Sequence, residues 1–195
     1  MRVGALQRAH RERLREILDA TAVFRPDEVQ VALELFDSSE LDATVRGTAE
    51  ADVGAAEPSG RDTGAGNPDY EFIGAFDEEG HLVGYACFGA TPGTDRTYDL
   101  YWIAMHPALH GRGGGSRLLH EVEARLRARG ARLIVVETSS RDAYAPTRRF
   151  YESRGYAEVA RLHAFYAADD DRVIYRKAVR GTSSHPPTER GVRDE

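Results

Sequence analysis

A glycine-rich run between two apolar segments has the composition of an anion-binding loop. It reads His-Gly-Arg-Gly-Gly-Gly-Ser over residues 110–116 and leads into an amphipathic segment at 116–128. Free backbone N–H groups at a helix N-terminus bind anions, and glycines let a phosphate approach the backbone closely. The side chains of Arg112 and Arg117 can add charge-assisted hydrogen bonds. The run predicts a phosphate site, although a plain connection that needs positive φ angles would also select glycines.

Two common nucleotide-binding motifs do not fit this loop. A Walker loop requires Gly-Lys-Ser/Thr after its four spacer residues, and the loop has no lysine. The dinucleotide fingerprint Gly-x-Gly-x-x-Gly fails at its sixth position, which is Ser116 when counted from Gly111 and Leu118 when counted from Gly113. The loop is therefore predicted to hold a phosphate ligand of another class.

The elements that must position this loop follow from hydrophobic periodicity. Residues 97–105 and 133–136 are nearly continuous in apolar residues, which is typical of strands covered on both faces. Between them the segment 116–128 carries an apolar stripe at helical spacing. The order strand, helix, strand predicts two parallel strands joined by a right-handed crossover.

The rest of the chain predicts a single α/β domain over residues 1–180 with a mixed, mostly antiparallel sheet. The further predicted elements are an N-terminal helix with Leu14, Ile17 and Leu18 on one face, a second helix starting at 25–28, a hairpin of strands 70–77 and 82–89, a helix at 146–154 and strands 156–162 and 172–179. Residues 42–68 have almost no large apolar side chains and are predicted to be a flexible insertion, and 181–195 a disordered tail.

The composition narrows the class of partner and the compartment. A net charge of −6 argues against a nucleic-acid partner. The sequence contains no run of eighteen apolar residues, so no membrane-spanning helix is expected. The basic N-terminus lacks the apolar core of a secretory signal. The single cysteine, Cys87, fits a reducing compartment, so a cytoplasmic location is expected. His106 and His110 are interrupted by Pro107, so no metal site is expected; the oligomeric state is left open.

Two motifs together carry a resemblance to a known family. The run at 110–116 resembles the acyl-CoA-binding motif [Gln/Arg]-x-x-Gly-x-[Gly/Ala] of the GNAT-type N-acetyltransferases. Residues 149–156, Arg-Phe-Tyr-Glu-Ser-Arg-Gly-Tyr, resemble the family signature Phe-Tyr-Glu-x-x-Gly-[Phe/Tyr]. The motifs stand in the family's order and separation, and the resemblance covers roughly residues 70–179. His110, Gly114 and Tyr144 differ from the residues usual at these positions in the family.

The resemblance implies a fold, a co-substrate and a reaction. The fold is a GNAT-like mixed central sheet with flanking helices, whose parallel pair, 97–105 and 133–138, splays to admit the pantetheine arm. The co-substrate is acetyl-CoA, with no metal, and the acetyl group passes by direct attack to a primary amine of a small molecule, protein or peptide. The positions implied for cofactor binding are Ile103, Ala104, Met105, His110, Gly111, Arg112, Gly113, Gly114, Gly115, Ser116, Arg117, Tyr144 and Thr147. Of these, residues 103–105 match the place of a strand bulge that turns an N–H toward the thioester.

Three side chains are candidates for the chemistry. The resemblance implies that Tyr151 lies beside the thioester sulfur as general acid, and the alternative is that it packs like Phe150. Asp99 and Glu137 are candidate bases that could deprotonate the amine through water, although an amine that arrives neutral needs no base. The alternatives are an edge contact to a loop for Asp99 and, for Glu137, a hydrogen bond that fixes loop 139–142.

An acceptor pocket is predicted only in outline. Aromatic residues that could shape it are Tyr98, Tyr101, Trp102, Phe165 and Tyr166. The acidic stretch 169–171 could attract a cationic amine, although a solvated turn is the favoured interpretation. Two other functions stay open: a non-catalytic acyl-CoA-binding module, and an unrelated phosphate-binding α/β domain.

Overall fold

Seven strands form one mixed sheet, in a computed structural model that describes residues 1–49 and 70–179. The strands are β1 Arg2–Ala5, β2 Glu71–Phe76, β3 Leu82–Ala90, β4 Thr97–Met105, β5 Leu133–Ser139, β6 Ala157–Ala167 and β7 Asp170–Ala178. The helices are α1 Arg11–Thr21, α2 Pro26–Ala49, α3 Gly114–Ala128 and α4 Ala145–Glu152. The spatial order is β1-β2-β3-β4-β5-β7-β6, and only β4 and β5 are parallel neighbours. The predicted fold class is confirmed.

Helices cover both faces of the sheet, and each face has its own core. On one face α3 places Leu118, Val122 and Leu126 against the strands, because these residues recur at helical spacing. On the other face α1 and α2 bury a second cluster around Tyr85 of β3. The sheet is thereby held between two helical layers, as α/β packing requires.

The parallel pair separates halfway along its length. Strand β4 pairs with β5 only from Thr97 opposite Leu133 to Leu100 opposite Val136, although both strands continue past that point. The register between β3 and β4 shifts at the same place, because Cys87 opposes Trp102 while Phe88 opposes Leu100. This shift makes Tyr101 the extra residue of a β-bulge. The predicted splay is confirmed, but the bulge precedes residues 103–105, where the family resemblance put it.

The N-terminus differs from the predicted single helix. Residues Arg2–Ala5 form β1 and pair antiparallel with β2, so α1 begins only at Arg11. The segment is too short to show a period of its own, and its strand conformation depends on a partner about seventy residues away. Local sequence therefore gave no signal for it.

The last hairpin is longer than predicted. Strand β6 continues to Ala167 and β7 begins at Asp170, so residues 163–167 and 170–171 are strand rather than loop. The side chain of Asp170 is 2% exposed, which corrects the interpretation of 169–171 as a wholly solvated turn. Hydrogen bonds from Ser139 Oγ and the Ser140 N–H compensate the burial of this carboxylate.

Helix α2 runs into the segment predicted as a flexible insertion. It ends at Ala49, so residues 42–49 are helical, and the alanines and the arginine in this stretch are good helix formers. The remainder of the predicted insertion, residues 50–68, and the predicted tail 181–195 lie outside the described residues. None of the helices within the described ranges has the length and hydrophobicity of a membrane-spanning segment.

Candidate active site

The glycine loop forms an open cradle at the start of α3. Gly111 and Gly113 have φ angles of 75° and 80°, a region that favours glycine. A β-carbon added to either would meet no atom within 4 Å, so the space above the loop is free for a ligand. The N–H of Arg117 donates to Gly113 O at 3.1 Å, which leaves the preceding N–H groups of α3 available to an anion.

The loop is fixed to the end of β4. His110 Nε2 lies 2.8 Å from Met105 O, at hydrogen-bond distance. A β-carbon on Gly114 would come within 2.5 Å of Met105 Cε, so the side chain of Met105 fills the space that a larger residue would take. Glycine is unusual at position 114 in the family that this sequence resembles. It is required here because Met105, at the end of β4, occupies the space of a larger side chain.

A cavity of about 430 Å³ opens between this loop, the end of β4 and α4. We call it the glycine-loop cavity. Its lining is Ile103, Ala104, Met105, Leu109, His110, Gly111, Gly113, Gly114, Gly115, Ser116, Pro146, Thr147, Phe150 and Arg154. The structure thus brings together most of the predicted cofactor positions; Arg112 and Arg117 are exposed beside the loop and outside its lining.

Sequence reasoning missed Arg154 at this cavity. Its guanidinium lies 3.8 Å from the centroid of the Phe150 ring and donates to Phe150 O at 2.8 Å. A further hydrogen bond joins Arg154 Nη2 to Ser116 Oγ in the first turn of α3. The signal was present, because Arg154 is one of the two variable positions of the second motif, but only the tertiary contact shows that it faces the loop.

Tyr151 is outside the lining of the glycine-loop cavity, but its ring centroid is 5.4 Å from that of Phe150, which is part of the lining. It follows Thr147 by one helical turn of α4 and is 3% exposed. Its ring centroid is 5.5 Å from that of Tyr156 and 6.2 Å from that of Tyr175. Burial raises the pKa of the Tyr151 phenol well above 10, so the hydroxyl stays protonated.

A second cavity, of about 450 Å³, lies where β4 separates from β5, and we call it the aromatic cavity. Five aromatic side chains line it: Phe24, Tyr101, Trp102, Tyr144 and Tyr166. Five carboxylates, those of Asp27, Glu28, Asp99, Glu137 and Asp170, and two guanidiniums, those of Arg25 and Arg172, complete its charged lining. The lining comes from the α1–α2 connection, α2, β4, β5, the turn before α4, β6 and β7.

The two candidate bases both line the aromatic cavity but differ in their partners. Asp99 Oδ2 accepts a hydrogen bond from Thr91 Oγ1 at 2.7 Å, and no ion pair to Asp99 occurs within residues 1–49 and 70–179. Glu137 forms an ion pair with Arg172 of β7. Asp99 is therefore the carboxylate with an uncompensated charge, whereas the charge of Glu137 is neutralised.

Tyr144 has a position other than the one predicted, and the loop after β5 has a partner other than the one considered. Tyr144 was expected to contact the cofactor, but it lines the aromatic cavity, where its hydroxyl donates to Val23 O at 3.4 Å. Burial raises the pKa of Tyr144 to about 12. The loop after β5, for which a hydrogen bond from Glu137 was the alternative, is fixed instead by Asp170, with Arg141 Nε at 3.3 Å from its Oδ2.

No cluster of three or more His, Cys, Asp or Glu side chains suited to a metal ion occurs in the part of the chain that the structure describes.

Known proteins are similar to this chain in sequence and in fold. The sequence profile of the Acetyltransferase (GNAT) family matches residues 34–156. A Desulfovibrio desulfuricans structure assigned to GNAT acetyltransferases is 38% identical, with a TM-score of 0.73 over 92% of this chain and 98% of that one. The ribosomal-protein-S18-alanine N-acetyltransferase of Escherichia coli has a TM-score of 0.66 at 15% identity, covering 94% and 96% of the two chains. No curated protein matches the sequence.

Proposed function

The chain belongs to the GNAT family of acetyltransferases, and on that premise we propose that it transfers an acetyl group from acetyl-CoA to a primary amine by direct attack. The observation that carries this proposal is the separation of β4 from β5 between the two cavities. The glycine-loop cavity reaches β4 at Ile103–Met105, and the aromatic cavity reaches the same strand at Asp99–Trp102. A co-substrate and an acceptor can therefore meet at one strand.

The residues of the glycine-loop cavity suit acetyl-CoA. The open space above Gly111 and Gly113 and the free N–H groups of α3 suit a pyrophosphate. Beyond Leu100 the edge of β4 is not paired with β5, so the backbone groups of residues 103–105 that face away from β3, apart from Met105 O beside His110, are available to the amides of a pantetheine arm. Two proteins of the same fold support this: an aminoglycoside 6'-N-acetyltransferase in complex with coenzyme A, and yncA of Salmonella typhimurium with acetyl-CoA, with TM-scores of 0.65 and 0.64.

Tyr151 is proposed to stabilise the departing sulfur. In the reaction the neutral amine nitrogen bonds to the carbonyl carbon, the carbon–sulfur bond breaks, and the thiolate takes up the proton that the nitrogen loses. Because burial raises its pKa well above that of a thiol (about 8.5), the phenol acts first as a hydrogen-bond donor to the sulfur. Its ring contacts Phe150 of the cavity lining, which supports a position near the thioester.

Asp99 is the better candidate for accepting the proton of the amine. Amines have pKa values near ~8 to ~10 and arrive mostly protonated at neutral pH, so a carboxylate without a cation partner can hold the ammonium and assist its deprotonation. Glu137 is already paired with Arg172, and proton acceptance there would leave that guanidinium uncompensated.

The proposal is tested by ligand binding and by thiol release. Acetyl-CoA should raise the melting temperature at tens of micromolar, because a ligand that binds only the folded state stabilises it. ATP at the same concentration is the control for an unrelated phosphate site. Thiol release from acetyl-CoA should then appear with members of an amine panel. A shift with ATP as large as with acetyl-CoA contradicts the cofactor assignment, and binding without thiol release on any amine indicates a non-catalytic acyl-CoA-binding module.

A further inference from the structure

We infer that the acceptor is a primary amine carried on an aromatic or apolar body that bears no carboxylate. This inference rests on the proposed function, since it concerns the acceptor in the aromatic cavity. It narrows the open set of amines to monocations with a hydrophobic part and disfavours free amino acids. The charges that line the cavity disfavour a carboxylate, and its aromatic rings favour an apolar body.

The guanidiniums that line the aromatic cavity are already engaged by carboxylates. Arg25 Nε lies 3.6 Å from Asp27 Oδ1 and 3.7 Å from Glu28 Oε2. Arg172 is paired with Glu137. The charges of both guanidiniums are thus paired, although Arg25 Nε and Arg172 Nε make no hydrogen bond among the described residues. A carboxylate on an acceptor would therefore enter a cavity in which five carboxylates face two guanidiniums that are already paired.

Asp99 supplies the complementary feature. The fifth carboxylate, Asp170, is compensated by Arg141, which leaves Asp99 as the lining acid without a cation in the described part of the chain. It lies two residues before Tyr101, the bulge residue at which β4 leaves β5. An ammonium beside Asp99 would thus be held next to the strand separation where the acetyl group is proposed to lie.

The remainder of the lining suits an apolar body. The rings of Phe24 and Tyr144 meet edge to face with centroids 6.4 Å apart, and Trp102 and Tyr166 add further aromatic surface. Such rings bury apolar groups and attract cations over their faces. The volume of about 450 Å³ is within the range of about 300–1,000 Å³ typical of small-molecule sites. A single amine with a compact hydrophobic part fits both the size and the chemistry.

Matched amines test the inference directly. Tyramine and tyrosine share one body and differ only by a carboxylate, as do phenethylamine and phenylalanine. We expect kcat/KM for the amine to exceed that for its amino acid by at least about tenfold in both pairs, because like charges repel in a partly buried site. Propylamine, which lacks the ring, should be a poorer acceptor than phenethylamine. Equal or reversed preference in either pair, or propylamine used as well as phenethylamine, overturns the inference.

A pair of variants assigns the discrimination to Asp99. In Asp99→Asn the tyramine-to-tyrosine ratio should fall several-fold, whereas loss of a general base alone would lower both rates and leave the ratio unchanged. Asp95→Asn is the control, since Asp95 is exposed, paired with Arg96 and outside the cavity lining. A ratio that is unchanged in Asp99→Asn, or that falls equally in Asp95→Asn, contradicts the charge argument.

A binding measurement separates this inference from the proposed function. With the protein saturated by coenzyme A, which cannot donate an acetyl group, tyramine should bind at least about tenfold more tightly than tyrosine by calorimetry. Selective binding of tyramine without thiol release from acetyl-CoA would refute the proposed transferase activity and support the ligand class. Thiol release with amino acids preferred would support the activity and refute the ligand class. Binding of neither amine refutes the inference.

Discussion

The two cavities beside the separated strands are built in opposite ways. The glycine-loop cavity is made mainly from consecutive residues, the end of β4 with residues 109–116 and one face of α4, and its chemistry is that of backbone N–H groups. The aromatic cavity is made from side chains of seven separate segments, and its chemistry is that of rings and carboxylates. The first can serve one invariant ligand, because backbone groups do not change with side-chain identity. The second can be altered by single substitutions, as an acceptor site would be.

The largest expected effect is at the backbone cradle. Gly113→Val would put a branched side chain into the open space above the loop, at a φ of 80°. We expect KM for acetyl-CoA to rise roughly hundredfold, the equivalent of about 3 kcal/mol, because the anion would lose its approach to the N–H groups. Steady-state kinetics and the acetyl-CoA thermal shift measure the change.

Gly80→Val is the matched control for that substitution. Gly80 has a φ of 88° and equally open surroundings in the β2–β3 turn, outside the lining of either cavity. Both variants should lose about 1–2 kcal/mol of folding stability from the strained backbone. A similar KM for acetyl-CoA in the two variants would show that the loop does not bind the cofactor.

The next largest effect on activity is expected at Tyr151, beside Phe150 of the same cavity. Tyr151→Phe keeps the buried ring and its contacts with Tyr156 and Tyr175 but removes the hydroxyl. If that hydroxyl donates to the departing sulfur, kcat should fall by about ten- to hundredfold while KM for acetyl-CoA stays the same. Single-turnover thiol release with a saturating amine gives the comparison, and wild-type turnover in the variant would remove Tyr151 from the mechanism.

A smaller effect is expected at the edge of the glycine-loop cavity. Arg154→Gln removes the cation held over Phe150 and beside Ser116. We expect KM for acetyl-CoA to increase by about three- to tenfold with little change in kcat, since one exposed charge contact to the cofactor is lost. Arg149→Gln, an exposed arginine on α4 outside the cavity lining, is the matched control and should leave KM unchanged. An equal rise in KM for acetyl-CoA in both variants would mean that only the net charge of the protein, and not the position of Arg154, affects cofactor binding.

The smallest effect concerns the packing of the aromatic cavity at high pH. The folded pKa of Tyr144 is about 12, above the value of about 10 for an unfolded tyrosine. Below about pH 10 both states are protonated and the contribution of Tyr144 to stability is complete; between about 10 and 12 the unfolded chain ionises first, so stability is lost as pH rises. Tyr144→Phe should therefore reduce the alkaline fall in melting temperature by a few degrees. An identical alkaline fall in melting temperature in the wild type and in Tyr144→Phe would contradict the raised pKa of Tyr144.

The sequence by itself determined the features that depend on neighbouring residues. The positive-φ glycines, the amphipathic α3 and the nearly continuous apolar runs of β4 and β5 each have a local physical cause, so spacing was sufficient to predict the cradle and the parallel pair. The two motifs then indicated the family and, with it, the co-substrate. Tyr151 was indicated by its position in the second motif, and its part in the chemistry stays a prediction.

Only the tertiary structure decided the aromatic cavity and the partners of its charges. Nothing in the local sequence distinguishes Asp99 from Glu137; the difference arises because β7 lies beside β5 and brings Arg172 to Glu137. Tyr144 was assigned to the cofactor by motif position, yet the packing of α4 and the preceding turn puts it against Phe24. Likewise β1 exists only through its pairing with β2. The physical reason is the same in each case: backbone conformation is set by adjacent residues, whereas compensation of a buried charge or an unpaired strand edge depends on residues far away in the chain.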